Sequence, residues 1–256
     1  MNEKDRFQSN LYRIFSRDEK LDAIPLEELL AAIPTLDSLE AVPAGTTVLV
    51  RLDLDVPLKE GAVADFSRLE ANSKTLKYCI DKGWTTILFG HIGRDKDLSL
   101  KPVCEACGKI IDRDIEFIPD WLNEEKMKLD EGFVSKLQAA KPGALFMLEN
   151  TRKYDSERAL WKAKDEDFSG ISADMYSLAA DFRERVTDIE INEAIAASNI
   201  DFSSSALPLI MPKTAMGFYL SEEMRRHILG ARQADLLVMS GLKINKLDDL
   251  ENVLTR

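Results

Sequence analysis

From about residue 46 onward, short β-rich apolar runs alternate with stretches of helical periodicity, and this alternation limits the folds open to the chain more than any other feature. The strand candidates span 46–54, 85–90, 115–118, 144–148, 188–192 and 234–239. Helical patterns span 67–82, 100–111, 131–140, 174–185 and 221–231. Strand then helix, repeated, predicts an α/β fold: a mostly parallel sheet with helices on both faces.

In sheets of this kind a ligand binds beyond the carboxyl ends of the strands. The residues to inspect are therefore Asp53 and Asp55 after the first run, His91 and Arg94 after the second, and Asn150 and Arg152 after ALFMLE. Three strand ends supply one imidazole and two guanidiniums. Either arginine alone would be read as a partner for a nearby carboxylate on the rim. Cations gathered by the topology of an acidic chain point instead to an anion site.

The chain has 256 residues, with 34 Lys+Arg against 45 Asp+Glu and a formal charge of −11. That surplus, with no basic run, argues against nucleic acid or an anionic membrane surface as partner. The first residues, MNEKDRFQSNLYRIF, contain no apolar signal core. No stretch reaches the roughly 18 apolar residues of a membrane span, so a soluble, cytoplasmic protein is expected.

No GxxxxGK[ST] phosphate loop and no GxGxxG after a strand occurs, and no GxSxG supports a serine nucleophile. Cys104 and Cys107 form a CxxC, but Val103, Ile110 and Ile111 share their helical spacing. They read as small residues on a buried stripe. With only His91 and His227 as histidines and no second CxxC, a zinc site lacks ligands, and no metal site is expected.

At this level the motifs carry a resemblance. VLVRLDLDVP at 48–57 resembles the phosphoglycerate kinase signature VRVDFNVP, GHIGRD at 90–95 its SHLGRP, and LENTR at 148–152 its LEN-x-R. INEAI at 191–195 is similar to VNDAF, AMGFYLSEEM at 215–224 to AGFLMEKE, and MSGLKINK at 239–246 to GGAKVxDK. Six motifs in the same order over about residues 40–250 identify the chain as a divergent member of that family. The resemblance implies a Rossmann-like N-terminal domain holding 3-phosphoglycerate, and phosphoryl transfer with ATP and Mg²⁺ in glycolysis. It assigns acid-substrate contacts to Asp53, Asp55, Arg68, His91, Arg94 and Arg152, with Arg68 also in a catalytic role. Lys243 is assigned to the transferred phosphoryl group, as a catalytic and nucleotide-side cation.

Two departures bear on this site. Asp55 stands where the family has asparagine, and an ungapped alignment of INEAI puts Asn199 and Ile200 at the His and Arg of the family's HRAH. At about 1.5–3 kcal/mol per charge-assisted contact, one cation lost and one anion gained weaken phosphoglycerate binding by on the order of 10²–10⁴. The spacing after Lys243 is also one residue short, which leaves Lys246 without an assigned role.

The expected organisation is an amphipathic leader over 1–40, patterned by Leu21, Ile24, Leu26, Leu29, Leu30 and Ile33 and broken at Pro25 and Pro34. A phosphoglycerate-kinase-like domain over 41–215 follows, then an interdomain helix and a stub of the nucleotide domain over 216–256. The leader is expected to cover part of an otherwise bare apolar face. The resemblance runs out soon after Lys243, so the chain reads as truncated before the nucleotide domain. It would then be inactive alone or dependent on a partner chain carrying that domain, and its C-terminal stub is a candidate for self-association. The alternative is a pseudoenzyme that binds or senses a small phosphorylated acid.

Overall fold

The structure is a computed structural model. It describes residues 1–16, 25–194 and 200–233, so the strand expected at 234–239, Leu21, Ile24, Asn199, Lys243 and Lys246 lie outside the described residues.

Six parallel strands form the central sheet: β1 (Thr47–Arg51), β4 (Thr85–Phe89), β5 (Glu116–Ile118), β8 (Leu145–Leu148), β9 (Ile189–Asn192) and β10 (Lys213–Met216). Their order is β10-β9-β1-β4-β8-β5. Two short hairpins, β2 (Leu58–Lys59) with β3 (Ala62–Val63) and β6 (Leu122–Asn123) with β7 (Lys128–Leu129), lie outside it. The central strands are buried on both faces, which is why they read as continuous apolar runs rather than alternating ones.

The helices are α1 (Glu3–Phe15), α2 (Leu26–Ala32), α3 (Ser67–Asp81), α4 (Lys101–Ile111), α5 (Glu131–Gln138), α6 (Asp165–Arg185) and α7 (Phe218–Gln233). Alternating strand residues feed two cores. On one face Leu49, Ile87, Phe89, Phe146 and Leu148 meet α1, α5 and α6 through Phe7, Leu11, Phe133, Met175, Leu178 and Phe182. On the other, Val48, Val50, Leu88, Met147 and Ile191 meet α3 and α4 through Leu69, Leu76, Cys79, Val103, Cys104 and Cys107.

Several boundaries differ from the sequence expectation. The strand expected over 46–54 ends at Arg51, where the chain turns out of the sheet toward Asp53. The helix expected over 174–185 begins at Asp165, where the Asp167 carboxylate accepts from the Lys164 amide at 3.1 Å and acidic residues fill the first turn. The strand β10 was not expected at all. Helix α1 packs along α6: the Glu3 carboxylate accepts from Arg183 at 2.6 Å, Gln8 donates to Ser172 at 2.9 Å, and the Phe7 ring meets Tyr176 edge-on. Cys104 and Cys107 are buried free thiols, and burial pushes both up to about 12, so neither is a reactive thiolate at neutral pH. Among the described residues no helix is long and apolar enough to cross a membrane, and no three His, Cys, Asp or Glu side chains group as metal ligands.

Candidate functional site

The carboxyl ends of β1, β4, β8 and β9 lie side by side, so the loops that follow them meet at one end of the sheet. The β1 loop delivers Asp53 and Asp55. Asp53 is buried, and its backbone carbonyl accepts from Asn72 of α3 at 3.0 Å. Arg68, one turn earlier on α3, donates to the Asp53 carboxylate at 3.0 Å and to the Asp55 carbonyl at 2.9 Å. Burial raises the Asp53 pKa, and the Arg68 guanidinium opposes that rise. Nearly half of the Arg68 side chain stays exposed, so it can still face a ligand with its charge partly offset.

Asp55 spends one carboxylate oxygen on the Gly93 amide at 2.8 Å, and the other lies 4.0 Å from His91 Nε2. The carboxylate therefore braces the 90–95 loop. Burial, then the Arg152 cation, lower the His91 pKa to about 4, so its imidazole is neutral at physiological pH and offers a hydrogen bond rather than a charge.

The β8 end is built on Asn150, which is fully buried and structural. Its side-chain oxygen accepts from the Ile92 and Arg152 amides, and its nitrogen donates to the carbonyls of Ile92 and Leu98. Those bonds hold the β4 loop against the β8 loop. Arg152 donates to the Gly93 carbonyl at 2.6 Å, and its guanidinium lies over the Trp161 ring at 5.1 Å. Arg152 Nε is buried without a partner. Among the described residues Arg152 makes no ion pair within 4 Å, so pairing with a rim carboxylate does not describe it there. Arg94 is exposed at the tip of the same loop. The structure thus brings Asp53, Asp55, Arg68, His91, Arg94 and Arg152 to one end of the sheet. A cleft of about 440 Å³ lined by Lys96, Asp97, Leu98, Glu149 and Lys153 opens beside them. A second cavity of about 330 Å³ lies toward β9 and β10, and among the described residues none that lines it is a cation.

Beneath the loops is a buried polar layer that the sequence reading overlooked. Arg51, at the end of β1, donates to Ser203 at 3.0 Å and lies 3.7 Å from Asp201. Ser203 donates in turn to Glu157 at 2.6 Å, and Glu157 also accepts from the Thr151 hydroxyl and the Ser203 amide. Asp201 accepts from the Trp161 indole at 2.6 Å. Burial, with Asp201 next, raises Glu157 to about 7. Glu190 on β9 is 2% exposed and both its carboxyl oxygens lack partners, so burial pushes it up to about 8. The available signal was a charge inside a run that has to be buried on both faces: Arg51 in VLVRLDL and Glu190 in DIEIN.

At the β9 end, Glu193 accepts from the Thr75 hydroxyl of α3 at 2.6 Å and from the Tyr219 and Leu220 amides of α7, both at 3.1 Å. It is an acidic cap on α7 from another segment. Gly217 is required here, since an added Cβ would collide with the Glu193 carboxylate.

The fold and the sequence both match known proteins. The phosphoglycerate kinase family model matches residues 39–256. The chain is 26% identical over 223 residues to the phosphoglycerate kinase of Schistosoma mansoni, covering 83% of this chain and 51% of that protein. It is 32% identical over 193 residues to that of Lactobacillus acidophilus, covering 71% of this chain and 44% of that protein. The chain spans about half the length of the curated relatives it matches. The crystal structure of phosphoglycerate kinase from Pyrococcus horikoshii superimposes with a TM-score of 0.69 at 23% identity, over 87% of this chain and 53% of that one, a likeness of fold. Sheet topology, motif order and the extent of the family match converge, and the chain belongs to the phosphoglycerate kinase family.

Proposed function

We propose that this chain binds a small phosphorylated carboxylic acid of the 3-phosphoglycerate class at the carboxyl end of its sheet. The observation that carries the reading is the convergence of Arg68, Arg94 and Arg152 at one sheet end in a protein of net charge −11. A neutral His91 beside them suits a hydrogen bond to a phosphate or carboxylate oxygen. In the catalytic version of this reading the acid accepts or gives a phosphoryl group from ATP with Mg²⁺. Arg68 then offsets charge on the acid side and Lys243 on the nucleotide side.

The Asp55 carboxylate, which stands where the family has asparagine, favours a second reading, a binder or sensor of the same acid without turnover. It places negative charge where an anion would dock, which lowers affinity and weakens positioning for transfer. A separate chain carrying the nucleotide half would restore the catalytic version.

Calorimetry with 3-phosphoglycerate, run beside a coupled assay with ATP, tests both. Saturable binding of one molecule per chain supports the site. Absence of binding of 3-phosphoglycerate at millimolar concentration overturns it, and turnover by the pure chain overturns the sensor.

A further inference from the structure

Arg158 belongs to neither the family motifs nor the strand-end set, yet it is delivered to the same place. It ends the short 3₁₀ turn Asp155–Arg158 that follows β8. That turn is fixed from below: Glu157 bonds Thr151 and Ser203, and Trp161 bonds Asp201. The two anchors dock on the stretch that directly follows Ile200, the position where the family resemblance calls for an arginine. Arg158 itself is held loosely. One guanidinium nitrogen lies 3.5 Å from the Arg94 carbonyl, and the other lies 3.6 Å from Asp155, whose side chain is 91% exposed. Contacts of that length to so exposed a carboxylate fix little.

Arg152 and Arg158 thus both reach the loop that carries Arg94, above the β4 and β8 ends. Arg158 touches the Arg94 backbone, and Arg152 touches the Gly93 backbone one residue earlier. Burial pushes the Arg152 pKa down; the Asp201, Glu157 and Asp55 carboxylates oppose that, and the Arg158 cation adds to it, so the two guanidiniums lie close enough to feel each other. Arg152 Nε remains buried and unpartnered. Two guanidiniums reaching one loop, one of them on a turn fixed from below and the other with a buried donor left over, suit an anion that can accept from both.

We propose that Arg158 is an anion-binding residue of this site, joining Arg94 and Arg152 around a phosphate group and supplying the cation absent at Ile200. The inference rests on the reading that the sheet end binds a phosphorylated acid. It moves the centre of that site away from the Asp53–Arg68 pair, whose charges offset each other, toward the β8 loop.

Titration calorimetry with 3-phosphoglycerate on the full chain tests it, using R158Q, R158K and R113Q, the last removing an exposed arginine outside the strand-end cluster. Loss of one charge-assisted contact predicts binding weakened about 10–100-fold in R158Q. R158K, keeping charge without the fork, loses less, and R113Q stays within about twofold. Wild-type binding with R158Q within twofold overturns the role of Arg158 and leaves the proposed function standing. Equal losses in R158Q and R113Q also overturn it, as a general charge effect. A wild-type chain that binds no 3-phosphoglycerate overturns both. Should R158Q fail to fold, R158M, which keeps the aliphatic stem without the charge, carries the test, and binding within twofold of wild type overturns the role of Arg158.

Discussion

Replacing Glu190 with Gln should flatten the pH dependence of stability by a predictable amount. Glu190 is buried on β9 with neither carboxyl oxygen paired, and its pKa is raised from 4.5 to about 8. The folded chain therefore keeps this proton up to about pH 8, whereas the unfolded chain releases it above 4.5. Its contribution is fully present at low pH and is lost as pH rises through that window. At about 1.4 kcal/mol per pH unit over the range where only the unfolded state is ionised, Glu190 costs roughly 2–3 kcal/mol between pH 5 and pH 7. His91 acts in the opposite sense: its lowered pKa withdraws stability as pH falls below 6.5 toward 4. Wild type alone would mix these effects, so the variant is compared with wild type at each pH. Urea unfolding at pH 5 and pH 7 should show that E190Q removes about 2–3 kcal/mol of the wild-type difference. An unchanged difference would refute the assignment of Glu190 as a buried neutral acid.

Three further outcomes are expected. Asp55→Asn keeps an acceptor for the Gly93 amide while removing a negative charge from the site, so 3-phosphoglycerate should bind about tenfold or more tighter in calorimetry. Arg51→Met leaves Asp201 and Glu157 buried without their cation and should cost about 3–5 kcal/mol in urea unfolding; a loss under about 1 kcal/mol would mean the layer is not held by charge. Cys79, Cys104 and Cys107, all buried with thiols pushed up to about 12, should resist a thiol reagent in the folded protein and react together on unfolding.

The central strands were legible because burial on both faces forces an unbroken apolar run, as in TTILF of β4. β10 escaped notice because KTAM is four residues, and two of them are polar at the sheet edge. α1 falls inside the amphipathic leader expected over 1–40, but its own position at Glu3–Phe15 escaped because most of its surface is polar while Phe7 and Leu11 do the packing. In the site, topology alone pointed to Asp53, Asp55, His91, Arg94 and Arg152, since a parallel sheet presents strand ends together. Arg68 needed the family resemblance, because nothing in a helix's first turn says that it will reach back 15 residues to Asp53. The Arg51–Ser203–Glu157 layer joins residues 152 and 46 positions apart, and no local pattern encodes such pairings.

The Glu193 cap has a mechanical consequence. Thr75 and Arg68 sit two turns apart on α3, so the helix that carries the Arg68 guanidinium to Asp53 also grips the carboxylate that caps α7. The Phe218 amide donates to the same Thr75 hydroxyl at 2.9 Å, and the Gly217 amide donates to the Asn192 carbonyl at the end of β9. Sheet, α3 and the first turn of α7 are riveted at one point. Any hinge in α7 must therefore act beyond Leu220, with the carboxyl end of the sheet moving as one piece with the root of that helix.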